Sequence, residues 1–124
     1  MKIFDAIAKL KRRNHDADPL EVAEWLDDLD GHIYNTLVLG HEGYDKIKKE
    51  KYVEGENART EAVLLAPEPY SEMYIHYLEA QSYYREGDYE RYNNAMSLYN
   101  AARAEFDRYW ITTHSLIQPR VRRW

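Results

Sequence analysis

The chain is 124 residues long, 44% hydrophobic and 31% charged, with a formal net charge of -5 and no cysteine. These values describe one ordinary soluble domain with a single modest core, and the missing cysteine excludes disulfides, thiolate nucleophiles and cysteine-ligated zinc. No apolar stretch approaches the roughly 20 residues that span a bilayer, and Met1-Lys2-Ile3-Phe4-Asp5 does not open a signal peptide, so neither membrane contact nor export is expected.

Charge is unevenly placed. Lys2, Lys9, Lys11, Arg12 and Arg13 make the start basic, Asp16 to Asp30 holds seven acids and no lysine or arginine, and Arg120, Arg122 and Arg123 make the end basic. Such a layout suits plain solvated surface, and it also suits a terminus of one subunit docking on an acidic face of another.

In chain order, Ile3, Phe4, Ile7, Ala8 and Leu10 recur at three- and four-residue steps and predict a short amphipathic helix over residues 2–13. It is too short to be stable alone. Asp18-Pro19-Leu20-Glu21 is a helix start, with Asp18 as cap, Pro19 in the first turn and Glu21 closing a capping box. Val22, Trp25, Leu26, Leu29, Ile33 and Leu37 then give one apolar face, and Glu24, Asp27, Asp28 and Asp30 are expected to face away. The helix is predicted over residues 19–38, weakened by about 1 kcal/mol at Gly31 relative to alanine and closed by Gly40.

Residues 41–66 carry turn signals at His41-Glu42-Gly43 and Gly55-Glu56-Asn57, many lysines, and an apolar run only at Ala62-Val63-Leu64-Leu65. They are expected to project from the helices as a loop or β-hairpin. Pro67-Glu68-Pro69 ends that stretch and is expected to start a third helix, followed at helical spacing by Met73, Tyr74, Tyr77, Leu78, Gln81 and Tyr84. After Glu86-Gly87-Asp88 the pattern resumes with Tyr89, Tyr92, Met96, Tyr99, Ala102, Phe106, Tyr109 and Trp110. The short connection predicts an antiparallel hairpin over 69–114 that forms the spine of the fold. This hairpin holds nine of the twelve tyrosines, which suits a core with wet edges or a subunit interface. The fold expected is all-α, a bundle of about four helices in one domain over 1–124, with a basic tail at 115–124 that is either a loose terminus or a docking arm.

No catalytic constellation is present. His41-Glu42 begins like the zinc-protease signature, but Asp45 stands where its second histidine belongs. Glu72, His76 and Glu79 share a helix face and have the atoms to bind a divalent metal, although a solvated surface is the plainer reading. Asp27, Asp28 and Asp30 lack the alternating ligands of an EF-hand and read as a solvated acidic face. There is no glycine-rich phosphate loop or nucleophile elbow. The tail's Arg120, Arg122, Arg123 and Trp124 have groups to hold phosphate and stack a base, but the chain is acidic overall and shows no basic stripe on a helix. No enzyme activity, cofactor or metal is therefore expected.

Tyr83-Tyr84-Arg85-Glu86-Gly87-Asp88-Tyr89-Glu90 resembles the centre of a tetratricopeptide repeat, but Tyr92 and Tyr99 occupy positions where that repeat needs small residues, and there is one copy only. Those two tyrosines are expected to fill the hairpin's own core. A broader resemblance covers nearly the whole chain. It is carried by Trp25-Leu26-Asp27-Asp28-Leu29-Asp30-Gly31-His32-Ile33-Tyr34, by Leu64-Leu65-Ala66-Pro67-Glu68-Pro69-Tyr70-Ser71-Glu72-Met73-Tyr74, and by Glu79-Ala80-Gln81 with Tyr89-Glu90-Arg91-Tyr92-Asn93-Asn94. In these the chain resembles small prophage proteins similar to the head-tail connector (adaptor) proteins of tailed phages.

The resemblance implies a non-enzymatic subunit, assembled in the bacterial host cytoplasm, that forms a ring of about twelve copies in the virion neck. The ring would sit beneath the portal protein, complete the DNA-filled head and meet the next tail connector or tail terminator, with DNA passing nearby unread. Tyr74, Tyr83, Tyr84 and Trp110 on the hairpin, and Arg120, Arg122, Arg123 and Trp124 in the tail, are the expected interface residues. The competing expectation is a monomeric α-helical protein-binding or regulatory module of a prophage, using the acidic face between Asp16 and Asp30.

Overall fold

A computed structural model describes residues 1–13 and 15–114. Four helices account for most of it: α1 (Ile3–Arg12), α2 (Pro19–Ile33), α3 (Glu72–Glu86) and α4 (Tyr89–Thr113). A π-helical turn over Tyr34–Val38 extends α2, a single 3-10 turn covers Tyr44–Lys46, and two short antiparallel strands, β1 (Val53–Glu54) and β2 (Asn57–Ala58), make a hairpin. The fold is the expected small helical bundle on an antiparallel α3/α4 hairpin.

Local chemistry explains most of the boundaries. Asp18 accepts a hydrogen bond from the Glu21 backbone N–H at 3.2 Å, and Pro19 takes the first helical position. Glu21 is drawn away from the capping box by an ion pair with Arg85 at the far end of α3. Helix α2 continues through Gly31, and its final turn widens so that the Leu39 N–H reaches the Tyr34 carbonyl at 3.0 Å. Between α3 and α4, Gly87 adopts the left-handed conformation at φ 79°, and Asp88 caps α4 by accepting from the Arg91 N–H at 3.2 Å.

Two expectations about placement are corrected. Helix α3 starts at Glu72, not at Pro69, because Pro67 to Tyr70 close a turn of their own, with the Tyr70 N–H donating to the Pro67 carbonyl at 2.8 Å. That turn lays the Tyr70 ring on Tyr109 of α4, with centroids 4.6 Å apart. The second correction concerns residues 41–66. The strands at 53–58 form at its tip, but its flanks enter the body of the protein. Tyr52, Ala62, Leu64 and Ala66 are buried, and the N–H groups of Ile3 and Phe4 at the start of α1 donate to the Ala62 and Thr60 carbonyls at 3.1 and 2.9 Å. The segment thus satisfies orphan donors of α1 and closes one side of the core.

Packing arranges the helices in order. Helices α1 and α2 pack on each other and on α3, whereas α4 packs principally on α3. Helix α3 therefore lies between α4 and the α1/α2 pair, and α4 has one supported side. Only Ala95, Tyr99, Phe106 and Trp110 of its 25 residues are buried.

Candidate functional site

The hairpin tip and the free side of α4 form the candidate site. At the tip, Tyr84 is 56% exposed and Tyr89 59% exposed, and the Tyr84 ring meets Tyr89 and Tyr92 edge-on at centroid distances of 5.5 and 5.2 Å. Edge-to-face rings hold one another in place while leaving their outer surfaces free, which is how interface aromatics behave. Tyr83, one residue away, turns into a groove between the helices. Its ring packs edge-on against His15 at 4.9 Å, with the Arg91 guanidinium 6.0 Å away on another side. His76, Glu79, Asn94, Ala95 and Leu98 complete this groove of about 280 Å³.

The groove is electrostatically quiet at its inner end. Glu79 pairs with Arg13 and lies 3.3 Å from His15 Nε2, and Glu72 is 3.5 Å from both Lys9 and Arg13. The basic end of α1 thus neutralises the carboxylates of α3. This accounts for Glu72 and Glu79 as ion-pair partners and leaves His76 without the ligand set a metal requires. Among the described residues no cluster of three metal-ligating side chains is found.

Along α4 the sequence from Tyr92 to Ala102 contains eleven residues and no charge, in a chain whose residues are 31% charged. Asn93, Asn94, Ser97, Leu98, Asn100 and Ala101 from this run are exposed, and Leu98 is 56% exposed. A solvated helix face ordinarily carries lysines, glutamates and arginines. Depletion of charge is one compositional mark of an interface core.

The expected interface residues separate into three groups. Tyr84 is exposed and Tyr83 half-buried in the groove, so both stand where a partner can reach them. Tyr74 and Trp110 do not. Tyr74 is fully buried, because it lies one turn before Leu78 on the stripe that α3 turns inward, and Trp110 is 4% exposed, packed against Phe106 with the His114 ring stacked on it at 3.7 Å. Arg120, Arg122, Arg123 and Trp124 lie outside the described residues. Of the two tyrosines assigned to the hairpin core, Tyr99 is buried against Tyr77, whereas Tyr92 is half-buried beneath Tyr84.

Tyr74 is occupied by a second polar site, deep in the protein. Asp30, expected on a solvated acidic face, is fully buried. Its carboxylate accepts hydrogen bonds from the Tyr52 hydroxyl at 2.5 Å, the Tyr74 hydroxyl at 2.7 Å and the Leu65 N–H at 3.0 Å. The Tyr74 oxygen in turn accepts from the Ala66 N–H at 2.8 Å. Burial raises the Asp30 pKa above the ordinary carboxylate range, against the opposing pull of these hydrogen bonds and of Lys49. Burial, then the Asp30 charge, pushes both tyrosine hydroxyls upward as well, so they remain donors. The cluster binds α2, α3 and residues 52–66 together. It offers no opening to a substrate, and its role is to fix where those elements sit.

The acidic stretch is reduced in other ways. Asp27 pairs with Lys49 and Glu21 with Arg85, which leaves Asp16, Asp18, Glu24 and Asp28 as its exposed acids. No helix among the described residues is long and apolar enough to cross a membrane. Comparison with protein-family models, with characterised proteins and with solved structures finds no match to this chain.

Proposed function

We propose that the protein is a structural assembly subunit, a phage head-tail connector (adaptor) that forms a ring beneath the portal and joins the filled head to the tail. The observation that carries an assembly role is the charge-free, exposed run of α4 from Asn93 to Ala101, flanked by the tyrosines of the hairpin tip. Such a face carries no charge to desolvate, so another protein surface covers it at less cost than an ordinary charged helix face. The connector identity rests on the sequence resemblance. Its partners are then further copies of the chain, the portal protein, and the next tail connector or terminator, in a virion neck assembled in the host cytoplasm.

The monomeric binding module is the weaker reading, since the acidic face it would use loses Asp30 to the core and Asp27 and Glu21 to ion pairs. Mass measurement in solution, alone and with the cognate portal protein, separates the two. Ring-sized species alone or on the portal support the proposal, and a strict monomer that ignores the portal overturns it.

A further inference from the structure

The free side of α4 has a counterpart elsewhere on the same molecule. Phe4, on the outward face of α1, is 59% exposed, and Val63 is 50% exposed. They belong to adjoining backbone: Lys2 bridges to Val63, and the Phe4 N–H donates to the Thr60 carbonyl at 2.9 Å. Ile3, Ala6, Ile7 and Leu10 supply the buried face of α1, so Phe4 is surplus to its packing. Helix α4 packs principally on α3, and α1 on α3 and α2, so the Phe4/Val63 patch and the Leu98 face sit on helices separated by α3.

We propose that these two surfaces are the halves of one heterologous interface, in which the Phe4/Val63 patch of one copy seats on the Asn93 to Ala101 face of the next. The inference rests on the reading of the protein as a self-assembling subunit and adds which surfaces meet. A contact between unlike patches, repeated from copy to copy, gives a closed ring or an open chain of subunits.

The charged rims match. Lys11 and Arg12, beyond Phe4 on α1, are exposed and have no ion-pair partner among the described residues. Glu90 and Glu105, at either end of the charge-free run, are likewise exposed and unpaired among the described residues, with Arg108 one turn further on. Lys11 follows Phe4 by seven residues and Glu105 follows Leu98 by seven, which is the same rise of about 10 Å along each helix. With Phe4 on Leu98 and the two helices parallel, Lys11 comes opposite Glu105. In the antiparallel arrangement Lys11 comes beside Glu90, next to Arg91 with its Asp88 partner, so either orientation sets a basic group of α1 near an acid of α4.

Mixing two defective variants tests this directly. Leu98→Glu blocks one half of the interface and Phe4→Glu the other; Ala101→Glu and Val63→Glu serve as second variants of each half. All four positions are solvent-facing, and circular dichroism with thermal melting checks that each variant folds as wild type does. Wild type forms species larger than a dimer, and each variant alone sediments as a monomer. An equimolar mixture of Leu98→Glu and Phe4→Glu doubles in mass to a dimer and stops, because each chain keeps one working half. Wild-type assembly by Phe4→Glu and Val63→Glu would overturn the inference while leaving self-assembly intact, as would a mixture that stays monomeric. A wild type that stays monomeric both alone and with the portal protein overturns self-assembly and this inference together.

Discussion

Around Asp30 the protein carries a charge where apolar groups are the rule, and along the outer side of α4 it carries uncharged groups where charge is the rule. The two departures differ in what repairs them. Asp30 is repaired within the chain: three donors from Tyr52, Tyr74 and Leu65 surround it, and the cluster ties three parts of the fold together. The face built on Asn93, Asn94, Ser97, Leu98, Asn100 and Ala101 has no repair among the described residues, since α4 packs principally on α3 through its buried residues. An internal exception that is fully satisfied points to architecture. An external exception left open points to a partner.

If this contrast is right, substitutions in the interior change stability and leave association to follow, whereas substitutions on the outer face of α4 change association alone. The largest effect is expected from Trp110→Ala, which empties a buried indole site and should cost about 4 kcal/mol in denaturant unfolding. Trp110→Phe sharpens the point. The Trp110 Nε1 is buried without a hydrogen-bond partner among the described residues, so its loss removes no bond seen there and should cost under about 1.5 kcal/mol. Were Trp110 instead a subunit contact, both changes would weaken assembly at unchanged monomer stability.

Asp30→Ala comes next, at about 3 kcal/mol, because three buried donors are left without their acceptor. The pH dependence has a definite sign. In the unfolded chain this carboxyl titrates near its ordinary value of 3.8, and in the folded protein higher, since burial disfavours the charge. Between those two values the folded state holds a proton that the unfolded state has released. Stability contributed by Asp30 therefore falls as pH rises from about 4 to the folded value, then levels off. Melting curves of wild type and Asp30→Asn across that range should diverge, with the variant losing this downward slope. Parallel curves would mean that the folded protein does not hold the proton.

The smallest effect on stability, within about 0.5 kcal/mol, is expected for Leu98→Glu and Ala101→Glu, which are solvent-facing substitutions on an intact helix. These same variants should lose association by tenfold or more, read as the concentration at which larger species appear. A destabilisation of several kcal/mol with unchanged association would reverse the contrast between the two regions.

Much of the fold was legible because its punctuation is local. Asp18-Pro19 and Gly87-Asp88 act through their own backbone groups, and each marks its helix end as expected. Residues 52–66 were not legible in this way, because their order comes from Asp30, from the exposed donors at the start of α1 and from the core beneath them, all distant in sequence. Asp30 did leave a signal: it lies four residues after Leu26 and eight after Val22, on the inward stripe of α2, where a carboxylate asks for buried donors. Its neighbours Asp27 and Asp28 masked that phase. Tyr74 carried the same kind of signal, four residues before Leu78, whereas Tyr84 lies beyond the last buried residue of α3, Ser82. On α4 the informative feature was the missing charge from Tyr92 to Ala102 rather than the tyrosines.

Sedimentation equilibrium of wild type beside Leu98→Glu, over a hundredfold range of concentration at one salt, tests the central claim most directly. The account predicts a wild-type mass that climbs with concentration above that of a dimer, and a Leu98→Glu mass that stays at the 14.8 kDa of one chain. Identical curves for the two proteins would contradict it.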